Sequence, residues 1–348
     1  MALAARTALI LPRAAQAPSR QAGRRGRGAA AFLRAAVALA CILPCTSCRR
    51  GAAHPGAAPQ AAASPQEAAL AARDAQEASP GAYGGPTFST WEKEGKAVDP
   101  RFTFPEKTAL PDTGEAFFPW TGTVSHHFLT DPLIDSWFLE IRNRRDVRHF
   151  FILSPSHFGL STRDYSVADG RWECAAGSYV YTNRKLSDRL CAALGVDYDN
   201  QVFPDEHGVS TLIPYIRRHF PGADVVAVAV QGEPPLNMDY CERLYQALAP
   251  FFDEAGKKEN FLVVSSDFSH HGTPEQTAFK DGISQTFFDA PTAQNFIAAV
   301  CDNRPSMYVL ANLLAPSARS YVLYHTDSFA ISGMDGDDIT SYFFSLFD

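Results

Sequence analysis

From residue 88 onward, short continuous apolar runs alternate with stretches in which apolar positions recur every three to four residues. His149-Phe150-Phe151-Ile152-Leu153 runs into Ser154-Pro155-Ser156, and Asp224-Val225-Val226-Ala227-Val228-Ala229-Val230 and Phe261-Leu262-Val263-Val264-Ser265-Ser266 repeat the pattern. Apolar runs of this length suit strands covered on both faces. Helical spacing predicts helices over 132–144, 184–195, 209–220, 239–255, 280–289, 291–301 and 305–315. Pro291 and Pro305 fall where a first helical turn accepts a residue without an N–H. Two more strands are predicted over 320–324 and 339–347. Strands interleaved with helices imply an α/β fold, a three-layer α/β sandwich with a central, mostly buried sheet.

Upstream the pattern changes. Residues 49–86 are rich in Ala, Pro, Gly and Gln and bury too little apolar surface to offset chain entropy, so they read as a disordered tether. Residues 1–48 place Arg6, Arg13, Arg20, Arg24, Arg25, Arg27 and Arg34 ahead of a short apolar run that ends at Cys45-Thr46-Ser47-Cys48. A basic stretch, an apolar run and small residues before a cysteine have the order of a secretory signal. The last four residues resemble a relaxed bacterial lipobox, which makes Cys48 the candidate lipidation site. The expected location is the bacterial cell envelope, lipid-anchored and extracytoplasmic. An Arg- and Ala-rich organellar transit peptide is the alternative, as is a cytoplasmic protein with a misassigned start. The division is therefore leader 1–48, tether 49–86 and one domain over 87–348, a length one domain accommodates.

Charge sharpens this division. The chain carries a net charge of −7, yet residues 1–50 contain nine arginines and no acid. The remainder holds 22 basic against 38 acidic residues, an excess that argues against nucleic-acid binding. No stretch approaches the ~20 apolar residues of a membrane span, so membrane contact is expected through the anchor only. A small-molecule or peptide ligand is expected; no motif names it or the oligomeric state.

Polar residues gather where strands end. Ser125-His126-His127 follows Thr121-Gly122-Thr123-Val124, His157 follows the run at 149–153, and Asp267-Phe268-Ser269-His270-His271 follows the run at 261–266. Ligands of open α/β sheets collect at the carboxyl ends of strands, so these three ends are candidates for one site. Each has a structural alternative. Asp267 can hold a turn, Asp205-Glu206-His207 can open the helix at 209–220 with Asp205 near its N-cap, and Cys301 can be a small buried apolar residue. His149, His219 and His325 read as structural.

Taken together, Ser154-Pro155-Ser156-His157, Asp205-Glu206-His207 and Val263-Val264-Ser265-Ser266-Asp267-Phe268-Ser269-His270 resemble the Memo family, known in bacteria and archaea as AmmeMemoRadiSam system protein B. Cys301-Asp302-Asn303-Arg304-Pro305 and Asp338-Ile339-Thr340-Ser341-Tyr342 add to the resemblance, which spans residues 115–348. It implies a fold similar to class III extradiol dioxygenases, which use non-haem Fe(II). It further implies a metal site at His126, His157 and Cys301, with Asp267 and His270 as catalytic polar groups in the same cavity and Glu206 and His207 beside them. Two imidazoles and a thiolate suit Fe, Cu or Zn far better than Mg or Ca, and Fe or Cu is expected ahead of Zn. Asp267 or Glu206 is placed to orient a ligating imidazole, and His270 to act as general acid or base. The chain departs from the family at Ser125-His126-His127-Phe128-Leu129, where Pro-His-Ala-Gly-Tyr is usual, at Ser210 in place of Glu, and at Arg304 in place of His. Of the adjacent pair, His126 is favoured over His127.

The implied activity is that of a non-haem, metal-dependent oxidoreductase with dioxygenase-like chemistry. A non-catalytic binding or scaffold protein and a surface metal-capture lipoprotein are the alternatives. A Ser hydrolase lacks its Gly-x-Ser-x-Gly elbow, and P-loop and dinucleotide Gly motifs are absent. Beyond the leader, Cys174, Cys191, Cys241 and Cys301 form no Cys-x-x-Cys unit, which argues against a zinc knuckle; Cys174 and Cys191 are a possible disulfide in an oxidising compartment.

Overall fold

The computed structural model describes residues 84–90, 97–111, 117–232 and 236–348. The leader, Cys48 and nearly all of the tether lie outside the described residues. Ten strands are described: β1 (Thr87–Ser89), β2 (Thr121–Val124), β3 (His149–Pro155), β4 (Tyr165–Val167), β5 (Arg171–Ala175), β6 (Ser178–Tyr181), β7 (Asp224–Val230), β8 (Asn260–Ser265), β9 (Ser320–Asp327) and β10 (Ser341–Phe347). The α-helices are α1 (Asp131–Arg144), α2 (Arg184–Leu194), α3 (His207–Ser210), α4 (Ile213–His219), α5 (Met238–Leu248), α6 (Gly256–Glu259), α7 (Pro274–Asp289), α8 (Arg304–Leu313) and α9 (Ser328–Ser332).

Seven strands form one sheet in the order β4-β7-β3-β8-β2-β10-β9. Its centre, β7-β3-β8-β2, is parallel; β4, β10 and β9 run antiparallel to their neighbours at the two sides. Because successive residues of a strand point to opposite faces, each central strand feeds two cores. Phe150, Ile152, Val225, Ala227, Phe261 and Val263 face Trp137, Phe138 and Ile141 of α1 and Tyr215 and Ile216 of α4. Phe151, Leu153, Val226, Val228, Leu262 and Val264 face Leu190 of α2, Leu244 and Leu248 of α5, Phe287 and Phe288 of α7 and Met307 and Leu310 of α8. Two helical layers around one sheet make the three-layer α/β sandwich. At Gly122 in β2, an added Cβ would lie 2.2 Å from the Ser345 carbonyl oxygen and 2.8 Å from the Trp137 ring, so this close approach requires glycine.

Several helices differ from the predicted spans. The segment 209–220 splits into α3 and α4, because Pro214 has no N–H to donate to the Ser210 carbonyl. The segment 239–255 stops at Leu248, where Pro250 likewise ends the ladder and a 3-10 turn over Ala249–Phe251 follows. The helix predicted from 280 begins at Pro274, fixed by a capping box in which Thr273 and Gln276 exchange hydrogen bonds. The predicted helix 291–301 is only a 3-10 turn over Phe296–Ala298. Beyond it the backbone is used by tertiary partners: the Val300 N–H donates to Ser284 Oγ, and Cys301 bridges antiparallel to Phe268. A small sheet, β1-β5-β6, carries no long apolar run and was not foreseen; it adds Phe88, Trp172 and Val180 to the first core. Cys174, Cys191, Cys241 and Cys301 are outside any disulfide. No helix among the described residues is long and apolar enough to cross a membrane.

Candidate metal centre

Parallel β2, β3 and β8 end side by side, and the loops that leave them carry the polar cluster. His126 follows β2 and is buried. Its Nδ1 lies 3.0 Å from Ser265 Oγ, at the end of β8. That hydroxyl donates its one proton to the Gly208 carbonyl at 2.6 Å, so it accepts from His126 Nδ1–H. A neutral His126 therefore carries its lone pair on Nε2. His157 follows β3 and is fixed the same way, its Nδ1–H donating to Glu206 Oε1 at 2.7 Å. Glu206 is fully buried and caps α3 by accepting the Gly208 N–H, while its Oε2 accepts the His157 backbone N–H at 2.8 Å. The cap is thus Glu206, not Asp205. A carboxylate on Nδ1 fixes both the tautomer and the orientation of the ring. Gly208 leaves room for this arrangement, since an added Cβ would lie 2.2 Å from Ser154 Oγ.

The loop 299–303 closes the cluster. Asn303 Nδ2 donates to the carbonyls of Leu153 and Ser265, tying the loop to the ends of β3 and β8. Asp302 Oδ1 accepts from Ser266 Oγ at 2.8 Å and from the Asp267 N–H at 3.1 Å. Asp302 Oδ2 is left facing three imidazoles, 3.4 Å from His126 Nε2, 3.8 Å from His157 Nε2 and 3.9 Å from His270 Nε2. Asp267 presents Oδ2 to His126 Nε2 at 3.6 Å. Both Asp302 Oδ2 and Asp267 Oδ1 are buried oxygens with no hydrogen-bond partner. Buried polar atoms are ordinarily paired, so two such oxygens beside histidine lone pairs fit a cation.

Electrostatics follow the same contacts. Burial works against charge on the imidazoles, but Asp267 and Asp302 outweigh it and raise His126, while Asp302 and Glu206 lift His157 to about 10. Burial also works to raise Asp302, yet His126, His157 and His270 hold its carboxyl far below the usual range. Burial and the charges of His126 and His157 push His207 down to about 2. Burial and the neighbouring Asp302 charge push the Cys301 thiol up to about 12.

Among the described residues, two groups of three bring their donor atoms within 4.8 Å of one another inside each group: His126, His157 and His207, and His126, Asp267 and Asp302. Cys301 belongs to neither. His127 turns away, its Nδ1 2.5 Å from Tyr342 Oη. His270 stands at the more open side, and Ser210 is occupied inside its helix by donating to the Glu206 carbonyl. Arg304 Nε reaches the Ala299 carbonyl. Sequence reasoning quoted Asp302 without giving it a role, because only the pairing of 267–268 with 301–302 turns it inward. It also passed over Phe158, which is 74 % exposed with φ of 60° and sets its ring 5.6 Å from His157 and 5.7 Å from His207. A positive φ is uncommon for a bulky residue and could not be read from the sequence.

A three-layer α/β sandwich with histidines and carboxylates at the carboxyl ends of its parallel strands defines the class. The chain belongs to the Memo family: residues 130–310 match the family described as Memo-like protein. It is similar to the MEMO1 family protein of Caldivirga maquilingensis, 26% identical over 152 residues, covering 43% of this chain and 52% of that protein. The MEMO1 family protein of Pyrobaculum arsenaticum is 28% identical over 134 residues, covering 38% of this chain and 46% of that protein. A MEMO1 family protein of Saccharolobus islandicus is 24% identical over 241 residues, covering 67% of this chain and 80% of that protein. The chain thus spans about half the length of the first two relatives.

Proposed function

We propose that the protein binds one transition-metal ion at the His126–His157 cluster and acts as a non-haem, metal-dependent oxidoreductase. The observation that carries this is the pair of fixed tautomers, which leave two Nε2 lone pairs beside buried carboxylate oxygens without partners. A bound iron or copper ion would supply Lewis acidity and a redox couple. In this reading His126 and His157 hold the ion, with a third ligand from the Cys301-Asp302 pair. Glu206 keeps the His157 ring in place. His270 is the group placed to move a proton at the open side, and Asp267 holds charge opposite His126. The resemblance to class III extradiol dioxygenases makes catechols the first substrates to try. Metal analysis of the purified protein, followed by oxygen uptake with catechols after Fe(II) loading, tests the reading; a protein that takes up no Fe, Cu or Zn overturns it.

A second reading, a scaffold that keeps the cavity without turnover, draws on the raised His126 and His157 and the depressed Asp302, which neutralise one another by proton uptake alone. Metal binding without oxygen uptake favours it, or favours metal capture. The basic leader further supports lipid attachment at Cys48 and an extracytoplasmic, envelope-anchored location. Cys48→Ala releasing the protein from membranes is the expected result, and unchanged retention removes this part of the proposal.

A further inference from the structure

We propose that the third protein ligand at this centre is the Asp302 carboxylate, not the Cys301 thiolate, which makes the site a two-histidine, one-carboxylate set suited to Fe(II) or Mn(II) and poorly suited to Cu(I). The inference rests on the metal-binding reading above. Its first support is position. Asp302 Oδ2 is 3.4 Å from His126 Nε2 and 3.8 Å from His157 Nε2. Ligand atoms at ~2.0–2.2 Å from one ion lie about 3 Å apart, so Asp302 Oδ2 reaches ligand spacing from either imidazole by closing less than about 1 Å.

The second support is orientation. Ser266 Oγ and the Asp267 N–H both donate to Oδ1, which fixes the carboxylate and leaves Oδ2 facing the imidazoles. Asn303, anchored to Leu153 and Ser265, fixes the backbone one residue on. The third is satisfaction: Oδ2 is buried without a hydrogen bond, and so is Oδ1 of Asp267, whose other oxygen faces the same His126 Nε2. Among the described residues Cys301 joins no group of three close donors, whereas Asp302 joins one with His126 and Asp267, and the Cys301 backbone is committed to the bridge with Phe268. Two imidazole nitrogens and a carboxylate oxygen are the donor set of non-haem Fe(II) centres, whereas thiolate selects Cu(I) and Zn.

The experiment uses the purified full chain and its variants, titrated anaerobically with Fe(II), Mn(II) and Cu(I) against a chelator, alongside the absorption spectrum of the Co(II)-loaded protein. Asp302→Asn is expected to weaken Fe(II) and Mn(II) by more than about 100-fold, beyond the range for loss of an outer partner. Cys301→Ser is expected to stay within about threefold, the Co(II) protein to show no sulfur-to-metal charge-transfer band, and Fe(II) to bind more tightly than Cu(I). A charge-transfer band that Cys301→Ser abolishes, or loss of binding in Cys301→Ser with retention in Asp302→Asn, overturns the ligand assignment and leaves the metal reading standing. Wild-type protein that binds none of these ions overturns both. The Co(II) spectrum needs no variant, so a poorly folding Asp302→Asn leaves the proposal open to refutation.

Discussion

The two ends of the parallel strands handle charge in opposite ways. At the amino ends of β3, β7 and β8, a cavity of about 730 Å³ is lined by Arg142, Arg148, Arg218, His219, Lys258 and Glu259. Its arginines are spoken for: Arg142 pairs with Asp146, Arg148 with Glu259 at 2.7 Å and Arg218 with Asp135 at 2.6 Å. These pairs are largely exposed, so water screens them and each contributes little. At the carboxyl ends most of the groups are buried, hydrogen bonds from Ser265, Glu206 and Ser266 fix their side chains, and two carboxylate oxygens are left over. A large, strongly charged cavity whose arginines are paired off is a surface feature. A smaller set of buried, oriented and incompletely paired groups is where binding energy is available.

Perturbing each end should break or sharpen that contrast. The largest effect is expected from His157→Ala, which removes one of two imidazole ligands. Metal occupancy, read by elemental analysis, should fall to near background, while the circular dichroism spectrum stays unchanged, because the side chain lies in a loop and contributes little core packing. Retained occupancy would place the ion elsewhere.

Glu206→Ala comes next. It strands the His157 and Gly208 backbone N–H groups in a buried site and frees the His157 ring. Denaturant titration should show a loss of about 2–4 kcal/mol, and metal affinity should drop on the order of 10–100-fold. Stability unchanged within error would mean that water replaces the carboxylate.

A moderate effect belongs to Glu140 on α1, buried and held by Lys107 at 2.5 Å and Arg144 at 2.6 Å. Burial works to raise its carboxyl, but the hydrogen bonds and charges of Lys107 and Arg144 hold it below its ordinary value. A depressed native pKa means the unfolded chain takes up the proton first. The contribution is therefore complete above the ordinary glutamate range and lost as pH falls through the native value. Glu140→Gln should cost on the order of 1 kcal/mol at pH 7 and nearly nothing in strong acid, measured by urea unfolding across pH. A difference that persists in acid would show packing, not charge, at work.

The smallest effect is expected at the amino-end cavity. Arg148→Ala should change stability by no more than about 0.5 kcal/mol and leave metal binding untouched, since its partner Glu259 is itself half exposed. A loss of metal affinity there would erase the contrast between the two ends.

The central strands were legible because their residues are apolar without alternation, and only a strand buried on both faces needs that. The runs at 149–153, 224–230 and 261–266 fall within or nearly within β3, β7 and β8. The spans 132–144 and 305–315 match α1 and α8 closely, since one apolar stripe per helix suffices to face a layer. The segment 291–301 misled because its apolar residues have helical spacing while its backbone bonds elsewhere, the Val300 N–H to Ser284 Oγ among them. Local pattern carries no information about partners so far along the chain.

The same division runs through the site. His126, His157, Asp267 and His270 announce themselves by standing just after strand-forming runs, and that much follows from sequence. Which ring nitrogen each histidine offers does not, because Ser265 lies 139 residues from His126 and Glu206 lies 49 residues from His157. Asp302 carries no signal of its own. Its carboxylate enters the cluster only because Asp267 and Ser266, 35 and 36 residues away, hold one of its oxygens and turn the other inward. Composition and periodicity determine which segments must be buried, since burial is a property of each residue's own side chain. The direction of a lone pair depends on a partner, and only the folded chain brings partners together.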